Sequence, residues 1–556
     1  MANEFYARKG LAIGTASLDT SGTTPRVLVL DSNNVVKYRN NITGGSSVTA
    51  AAPTFSVQIS DGVGLTGFGV IDYNRANFSL NRPGYLITSQ LSCNTFIGAS
   101  AGVSSTNTAN GNVFVGYKSG FCNTSGNFNS FLGTEAGALV TQGACNTLIG
   151  HSTGGQLTTQ CKNTFIGTEA GKSALSTDSV LIGFQAGCGN NINSSSNNVM
   201  IGNCAGFTNT TGANNTFVGI ASGCKNTDGA RNVYIGAEAG CNSCGAQDNV
   251  FVGHQAGKVV TQTSATSTFN TFIGVFSGVK TTSGLRNTFI GSCTGYENTT
   301  QSDNVFIGSS AGLKATANCN TIIGACAGSA CTMTGTSSVF VGYQAGLNNN
   351  SGYCNTFVGI MTGCNNTTGN FNTFVGAAAG SNNATGFSNV FIGNWAGRDI
   401  SGCSANVFIG HSSSSFNTTS RCGISIGALS DAGDALNVSI GYSAGAGSTG
   451  CCNVLLGAYS GNNGEWFESV IIGQNTGQSG NGCRNVVIGS RSFGPGTSVV
   501  TYNNTIAIGY CAIATTNNQL VLASTHSWIG TASTGTFNQF LCARINGTDF
   551  KIPLYT

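Results

Sequence analysis

The chain has 556 residues, of which 7% are charged and 40% are hydrophobic, and its formal net charge is +3. This composition excludes the highly charged, weakly hydrophobic class of disordered protein. The nearly neutral charge, without a basic stripe, gives no reason to expect nucleic-acid binding. The sequence has no run of eighteen apolar residues, so we expect no membrane insertion.

The first region of the chain is set apart by the distribution of proline. The five prolines are Pro25, Pro53, Pro83, Pro495 and Pro553. Strands with a neighbour on both sides need every backbone N–H, which proline lacks. We therefore expect stacked strands in the proline-free interval 84–494 and a separate region over residues 1–90.

Between residues 94 and 509 one short motif occurs 25 times. Its pattern is Asn-(Thr/Val)-Phe-(Ile/Val)-Gly-x-x-Ala-Gly, followed by a polar stretch, as at 94–102 and 389–397. Of the 24 steps between the first glycines of successive motifs, 13 are 17 residues long and the others are 14 to 21. A period this short accommodates one coil of a solenoid. The sequence therefore predicts an all-β fold, a parallel β-solenoid (β-roll or β-helix) of about 25 coils with a period of about 17 residues.

The strand of each coil is apolar on both faces. Positions are numbered from the first glycine of the motif, the anchor glycine: position −1 is Ile, Val or Leu in all 25 coils, and position −3 is β-branched in 24. Alternate residues share a face, so positions −1 and −3 predict a face buried inside the coil. Position −2 lies on the other face, and its apolar residues predict burial against further copies of the chain, with the coil interior as the alternative. The predicted interface residues are Phe96, Phe114, Phe131, Phe165, Phe217, Phe251, Phe272, Phe289, Phe306, Phe340, Phe357, Phe374, Phe391 and Phe408.

Two further columns of the repeat carry structural predictions. Position +3 is always Ala, Ser or Thr, and position +4 is Gly in 21 coils, which predicts a tight corner with a left-handed backbone. Asn recurs at position −4. Asparagines stacked at about 4.8 Å can form a ladder along the coils, and the alternative is that each one only caps a turn.

The repeat changes near residue 427. The steps shorten to 14 and 16 residues, and phenylalanine no longer occupies position −2. We therefore expect Phe-striped solenoid repeats over 91–426, shorter-period repeats over 427–509 and a C-terminal end region over 510–556.

The sequence (Ile/Val)-Gly-x-x-(Ala/Ser) with an upstream Asn resembles the parallel β-roll of trimeric autotransporter adhesin heads. The shorter coils, such as 437–445, are closest to it, and the resemblance covers roughly 94–530. It implies a parallel homotrimer. The secretion signal, stalk and membrane anchor of that family are not recognised in this sequence.

Tail-fibre proteins of phages and large viruses carry similar repeats, and segments 5–11, 27–38 and 545–555 resemble them, the second as a hairpin. This resemblance implies a structural fibre or spike protein on a virion surface, made in the host cytosol, that mediates attachment to a host. Residues 1–90 would dock onto other virion proteins, and the far end would meet a host receptor such as a glycan. The alternatives are an extracellular bacterial surface adhesin and, third, a glycan depolymerase spike.

We predict no catalytic site, metal site, cofactor or enzymatic activity. His151, His254 and His411 occupy position +1 in coils that are far apart, so they cannot bind one metal ion within a single chain. Glu135 and Glu169, at position +2, lie two coils or roughly 10 Å apart, a separation near that of an inverting glycosidase pair. The variable residues in this column favour a solvent-exposed face instead. The motif also matches the hexapeptide of left-handed β-helix acyltransferases, but that fold needs about three such units per coil.

The 22 cysteines mostly occupy turn positions, and we expect free thiols. Cys224 and Cys241 share one column in consecutive coils, so a disulfide is the alternative for that pair. The Cys-x-x-Cys at 241–244 has no second such motif to pair with, which gives structural zinc little support.

Receptor contact is expected toward the C-terminal third of the chain. Exposed aromatic residues are common anchors, and irregular coils are where a repeat protein can place a binding site. The predicted receptor-contact residues are Trp395, Trp466, Phe467, His526 and Trp528.

Overall fold

The computed structural model describes residues 93–522 except 106–107, 190–195, 261–265, 417–420, 494–500 and 515, with the backbone alone at 266–267. Outside this range it describes the backbone of several short strands. The chain divides into two compact units, Met1–Thr316 and Ala317–Thr556. Both are built from short strands that pair in parallel with the strand of the next coil, as the sequence predicted.

Thirteen described strands form the stacked sheet of unit 1, and thirteen form that of unit 2. In unit 1 they are Thr95–Ile97, Val113–Val115, Ser130–Leu132, Thr147–Ile149, Thr164–Ile166, Val180–Ile182, Val199–Ile201, Thr216–Val218, Val233–Ile235, Val250–Val252, Thr271–Ile273, Thr288–Ile290 and Val305–Ile307. In unit 2 they are Thr321–Ile323, Val339–Val341, Thr356–Val358, Thr373–Val375, Val390–Ile392, Val407–Ile409, Ile424–Ile426, Val438–Ile440, Val454–Leu456, Val470–Ile472, Val486–Ile488, Ile506–Gly509 and Leu520–Ala523.

Shorter pairs of strands accompany the stacked sheets. The strand Ala246–Gln247 pairs in parallel with Thr266–Ser267, and Glu465–Phe467 pairs in parallel with Asn481–Cys483. The remaining described pairs are antiparallel: Tyr6–Ala7 with Leu11–Ala12, Val27–Leu30 with Val36–Arg39, Ser56–Val57 with Gly69–Val70, and Phe540–Ile545 with Thr548–Pro553. The second of these is the hairpin predicted over 27–38.

The core of each coil is the side chain at position −2, which reverses the predicted assignment of faces. Phe289 and Phe357 are fully buried within the single chain, whereas positions −3 and −1 of the same strands are only partly buried. Neighbouring rings stack at centroid distances of 4.7–5.0 Å, as between Phe374 and Phe391. Thirteen of the fourteen predicted interface phenylalanines are buried, and Phe96 in the first described coil is partly exposed. The prediction that these rings contact a second copy is therefore wrong.

Glycines at two positions explain why the coil closes around the ring. At position +4, Gly380 has φ = 56°, and a Cβ there would lie 2.5 Å from the Phe374 ring of the same coil. At the anchor position, Gly376 has φ = 128°, and a Cβ would lie 2.5 Å from the carbonyl oxygen of Gly393 in the next coil. The left-handed corner predicted at position +4 is thus confirmed, and it also makes room for the aromatic core.

The asparagines at position −4 form a ladder between side chains and backbone. The Asn129 N–H donates to Asn112 Oδ1 at 2.9 Å, and Asn129 Nδ2 donates to the Gly143 carbonyl at 2.8 Å. The same pair of bonds recurs at Asn215 and Asn372. The predicted ladder is confirmed, and its rungs run mainly from amide to backbone. Each buried asparagine thereby satisfies polar groups of three coils.

The core composition changes in the shorter coils. Ser425 and Ser439 occupy position −2 without leaving the interior, and Ser425 Oγ lies 2.8 Å from Ser413 Oγ. Farther along, Leu455 and Ile471 fill position −2, and Trp466 packs with them. Trp466, from the short strand Glu465–Phe467, therefore replaces part of the volume that phenylalanine fills elsewhere.

Candidate functional site

The outer face of the stacked sheet is an uncovered apolar surface, which we call the outward face. It is made by positions −3 and −1 of every strand, and position +1 of many coils extends it. Leu132 and Ile273, both at position −1, are 50% and 37% exposed, and Ile220 at position +1 is 64% exposed. A stripe of Ile, Val, Leu and Thr thus follows the stack in each unit, where a monomeric protein would ordinarily place polar residues.

The sequence predicts the wrong face for the phenylalanine column for a physical reason. Each strand has three residues, all of them apolar in most coils, so alternation cannot tell the inner face from the outer face. One signal does distinguish them. Aromatic rings at −2 coincide with glycine at +4 in every coil except that of Phe408, where Ser414 takes this position, and a glycine there leaves space for the ring across the corner.

The predicted receptor-contact residues divide into three groups. Trp395 and Phe467 are exposed, so they remain available to a ligand. Trp466 is fully buried, and its indole N–H donates to the Gly477 carbonyl at 3.2 Å, so its prediction as a receptor contact is wrong. His526 and Trp528 lie outside the described residues.

Trp395 belongs to an exposed cluster that also contains Arg398, Asp399 and Phe416. The Arg398 guanidinium lies 5.5 Å from the Trp395 ring and 4.8 Å from the Phe416 ring, measured from Cζ to the centroids. Arg398 also donates to Asp399 Oδ2 at 2.7 Å, and this bond lowers the pKa of the Asp399 carboxyl. Because Arg398 already pairs with Asp399 and packs against the rings of Trp395 and Phe416, contacts within the cluster account for its arrangement.

The two glutamates of the possible glycosidase pair have different surroundings. Glu169 accepts from Gln185 Nε2 at 2.7 Å and pairs with Lys172 Nζ at 2.5 Å, and these bonds lower the pKa of its carboxyl. A lowered pKa keeps Glu169 ionised, which is opposite to what a general acid needs. Within the described residues Glu135 forms no ion pair. Inverting hydrolysis requires one of the two to be a protonated acid, a requirement that Glu169 does not meet.

Cys224 and Cys241 interact as thiols in adjacent coils. Both are free and partly buried. A hydrogen bond from the Cys224 thiol stabilises the Cys241 thiolate and lowers the pKa of Cys241 to about 7, while the same bond, with burial, raises the pKa of Cys224. In the described part of the chain, no group of three or more His, Cys, Asp or Glu side chains is arranged to hold a metal ion.

Comparison with known proteins gives no match to a protein family and none to a curated protein. The described residues also contain no helix that is long and apolar enough to cross a membrane.

Proposed function

We propose that this chain is a structural fibre or spike subunit of a virus or phage particle, and that it mediates attachment of the particle to a host surface. A β-solenoid suits such a role because its stacked coils form a repetitive scaffold with binding surfaces along its flanks. The proposal includes assembly as a homotrimer, with the region 1–90 docking onto other virion proteins.

The outward face is the observation that carries this proposal. Thirteen strands per unit, spaced by about 4.8 Å and presenting a stripe roughly 10 Å wide, give on the order of 600 Å² of largely apolar surface in each unit. A standard protein interface buries roughly 800 Å² per partner, so the outward face of each unit is of comparable size. Self-association therefore accounts for a surface that is costly to leave in water.

Three copies around an axis parallel to the stack would cover this face and close the assembly. A closed ring of identical subunits leaves no unsatisfied contact surface, whereas an open arrangement would continue to grow. The trimer follows the resemblance to adhesin heads, and the interface we propose uses positions −3, −1 and +1 instead of the phenylalanines.

The attachment role is tested by competition with the native particle. Purified full-length protein, added in excess to host cells, should reduce adsorption of particles, and antibodies raised against it should label fibres or spikes on particles by electron microscopy. Labelling of a bacterial cell surface instead would support the adhesin alternative. Absence of both labelling on particles and competition would contradict the proposal.

A further inference from the structure

One flank of unit 1 contains a groove of about 330 Å³, which we call the flank groove. One wall is made by position +2 of three consecutive coils, Lys118, Glu135 and Ser152, whose backbones are left-handed with φ of 52–57°. Position +5 of the same coils and of the next coil, together with Leu139 and Gln156 at position +6, lines the rest of the groove. A concave volume of this size is at the lower end of the range found for small-molecule sites.

The groove opens where two small residues lie between two larger ones in the same column. At position +5, Ala138 and Gly155 stand between Phe121 and Lys172, and all four line the groove. Other coils carry large residues in this column, such as Phe207. Residue size varies along this column, which is also small at positions such as Ser381 and Ala446, so the pattern of the average coil does not reveal the groove.

The surfaces of the groove are amphipathic. Phe121 and Leu139 supply apolar area, with Leu139 exposed. Lys118 Nζ lies 5.9 Å from the centroid of the Phe121 ring. Within the described residues neither Lys118 nor Glu135 forms an ion pair, so one ammonium donor and one carboxylate acceptor remain for a ligand.

The charges around the groove are balanced. Lys172 is held by Glu169 at 2.5 Å, and this bond raises the pKa of the Lys172 ammonium. Lys118 and Glu135 carry opposite charges. A strongly anionic or cationic ligand would thus meet no excess of opposite charge, whereas a ligand rich in hydroxyl groups would find both a donor and an acceptor.

We infer that the flank groove is a binding site for an uncharged saccharide. The apolar face of a sugar ring would pack against Phe121, and its hydroxyl groups would accept from Lys118 and donate to Glu135. This inference rests on the proposed attachment role and makes it more specific, because a host surface glycan is the receptor class expected for the fibre.

The test is a titration of the full-length protein with neutral trisaccharides of glucose, galactose, mannose and N-acetylglucosamine, alongside sialyllactose and trigalacturonate as acidic probes, read by saturation-transfer NMR and calorimetry. Ala138→Phe fills the groove with a residue that position +5 already tolerates at Phe121. Ala446→Phe, in the same column of unit 2, is the matched control. Circular dichroism and thermal midpoints establish that both variants fold.

We expect at least one neutral trisaccharide to bind, with Kd raised at least tenfold by Ala138→Phe and unchanged by Ala446→Phe and by added salt. Glu135→Gln, which keeps size and removes charge, should weaken binding severalfold. Binding of acidic probes alone, equal binding by Ala138→Phe, or no neutral saccharide bound would overturn the inference. Adding the Ala138→Phe protein to the particle-adsorption assay separates the two proposals. If this variant reduces adsorption as strongly as the unmodified protein does, the attachment role stands and receptor contact lies outside the flank groove.

Discussion

A single hydroxyl distinguishes Tyr234 from the phenylalanines stacked on either side of it. Its ring lies 4.9 Å from Phe217 and 4.8 Å from Phe251, nearly parallel to both. Its hydroxyl makes no hydrogen bond within the described structure, although Ser243 and Asn249 lie nearby, and burial raises its pKa. A buried hydroxyl without a partner costs free energy that the neighbouring phenylalanines do not incur.

Tyr234→Phe should therefore leave the fold intact and raise the free energy of unfolding by on the order of 1 kcal/mol. The converse change at the neighbouring coil, Phe217→Tyr, should lower it by a similar amount. Thermal and denaturant unfolding of the two variants measure both effects. A loss of stability in Tyr234→Phe would mean that the hydroxyl has a partner after all.

The Cys224–Cys241 pair gives the molecule one pH-dependent group near neutrality. Because the pKa of Cys241 is lowered from 9.0 to about 7, its thiolate forms above about pH 7 and is lost below it. Alkylation of Cys241 by iodoacetamide, followed by peptide mass spectrometry, should have its midpoint near that pH. Cys224→Ala removes the thiol donor, so the midpoint should move upward, and an unchanged midpoint would assign the shift to another group.

At the scale of the coil, the asparagine ladder is the main polar element of the interior. Asn372 Nδ2 donates to the Gly386 carbonyl at 2.8 Å, and Asn372 Oδ1 accepts from the Asn389 N–H at 3.0 Å. Asn365 belongs to a different, exposed ladder, where its Nδ2 donates to Asn382 Oδ1 at 2.9 Å. Both ladders are formed by asparagine amides, but the ladder of Asn372 is buried and that of Asn365 is exposed to solvent.

This contrast yields a matched pair of substitutions. Asn372→Ala should lower the free energy of unfolding by about 2 kcal/mol, because it leaves the buried Asn389 N–H without its acceptor and removes one of the two donors to the Gly386 carbonyl. Asn365→Ala should change it by less than about 0.5 kcal/mol, because water replaces the lost partners. Denaturant unfolding monitored by circular dichroism compares them, and equal losses would contradict the distinction.

The elements show what sequence could and could not predict. The period, the strand type, the corner at Gly380 and the ladder at Asn372 follow from columns that repeat, because a repeated residue reports a repeated environment. The direction of the phenylalanines does not follow, since a three-residue strand has too few alternations to mark a face. The burial of Trp466 does not follow either, because an isolated tryptophan between two motifs can fill a thin core as readily as it can face solvent.

At the scale of the whole molecule, the outward face predicts stable self-association of folded chains. A triple variant with Leu132→Lys, Ile273→Lys and Ile392→Lys places three charges on that face without altering the buried column. The control carries Leu139→Lys, Asn242→Lys and Asn365→Lys at position +6, where Lys225 and Lys280 occur naturally.

Light scattering coupled to gel filtration should give about three times the 56.3 kDa chain mass for the unmodified protein and for the control. The outward-face variant should give a single-chain mass with an unchanged β-sheet spectrum, because burial of three added charges at an interface is unfavourable. An unmodified protein that is monomeric at micromolar concentration would refute the proposed assembly.

The register of the stacked strands has a consequence for how such a molecule changes over generations. Thr356 pairs with Thr373, and Thr373 pairs with Val390, so each coil presents nearly the same contact above and below. Loss of the 17 residues 360–376 would let the strand Thr356–Val358 meet Val390–Ile392 through an equivalent junction. Duplication or loss of one whole period is therefore far less disruptive than loss of a few residues, and recombination between repeats becomes a ready source of viable length variants.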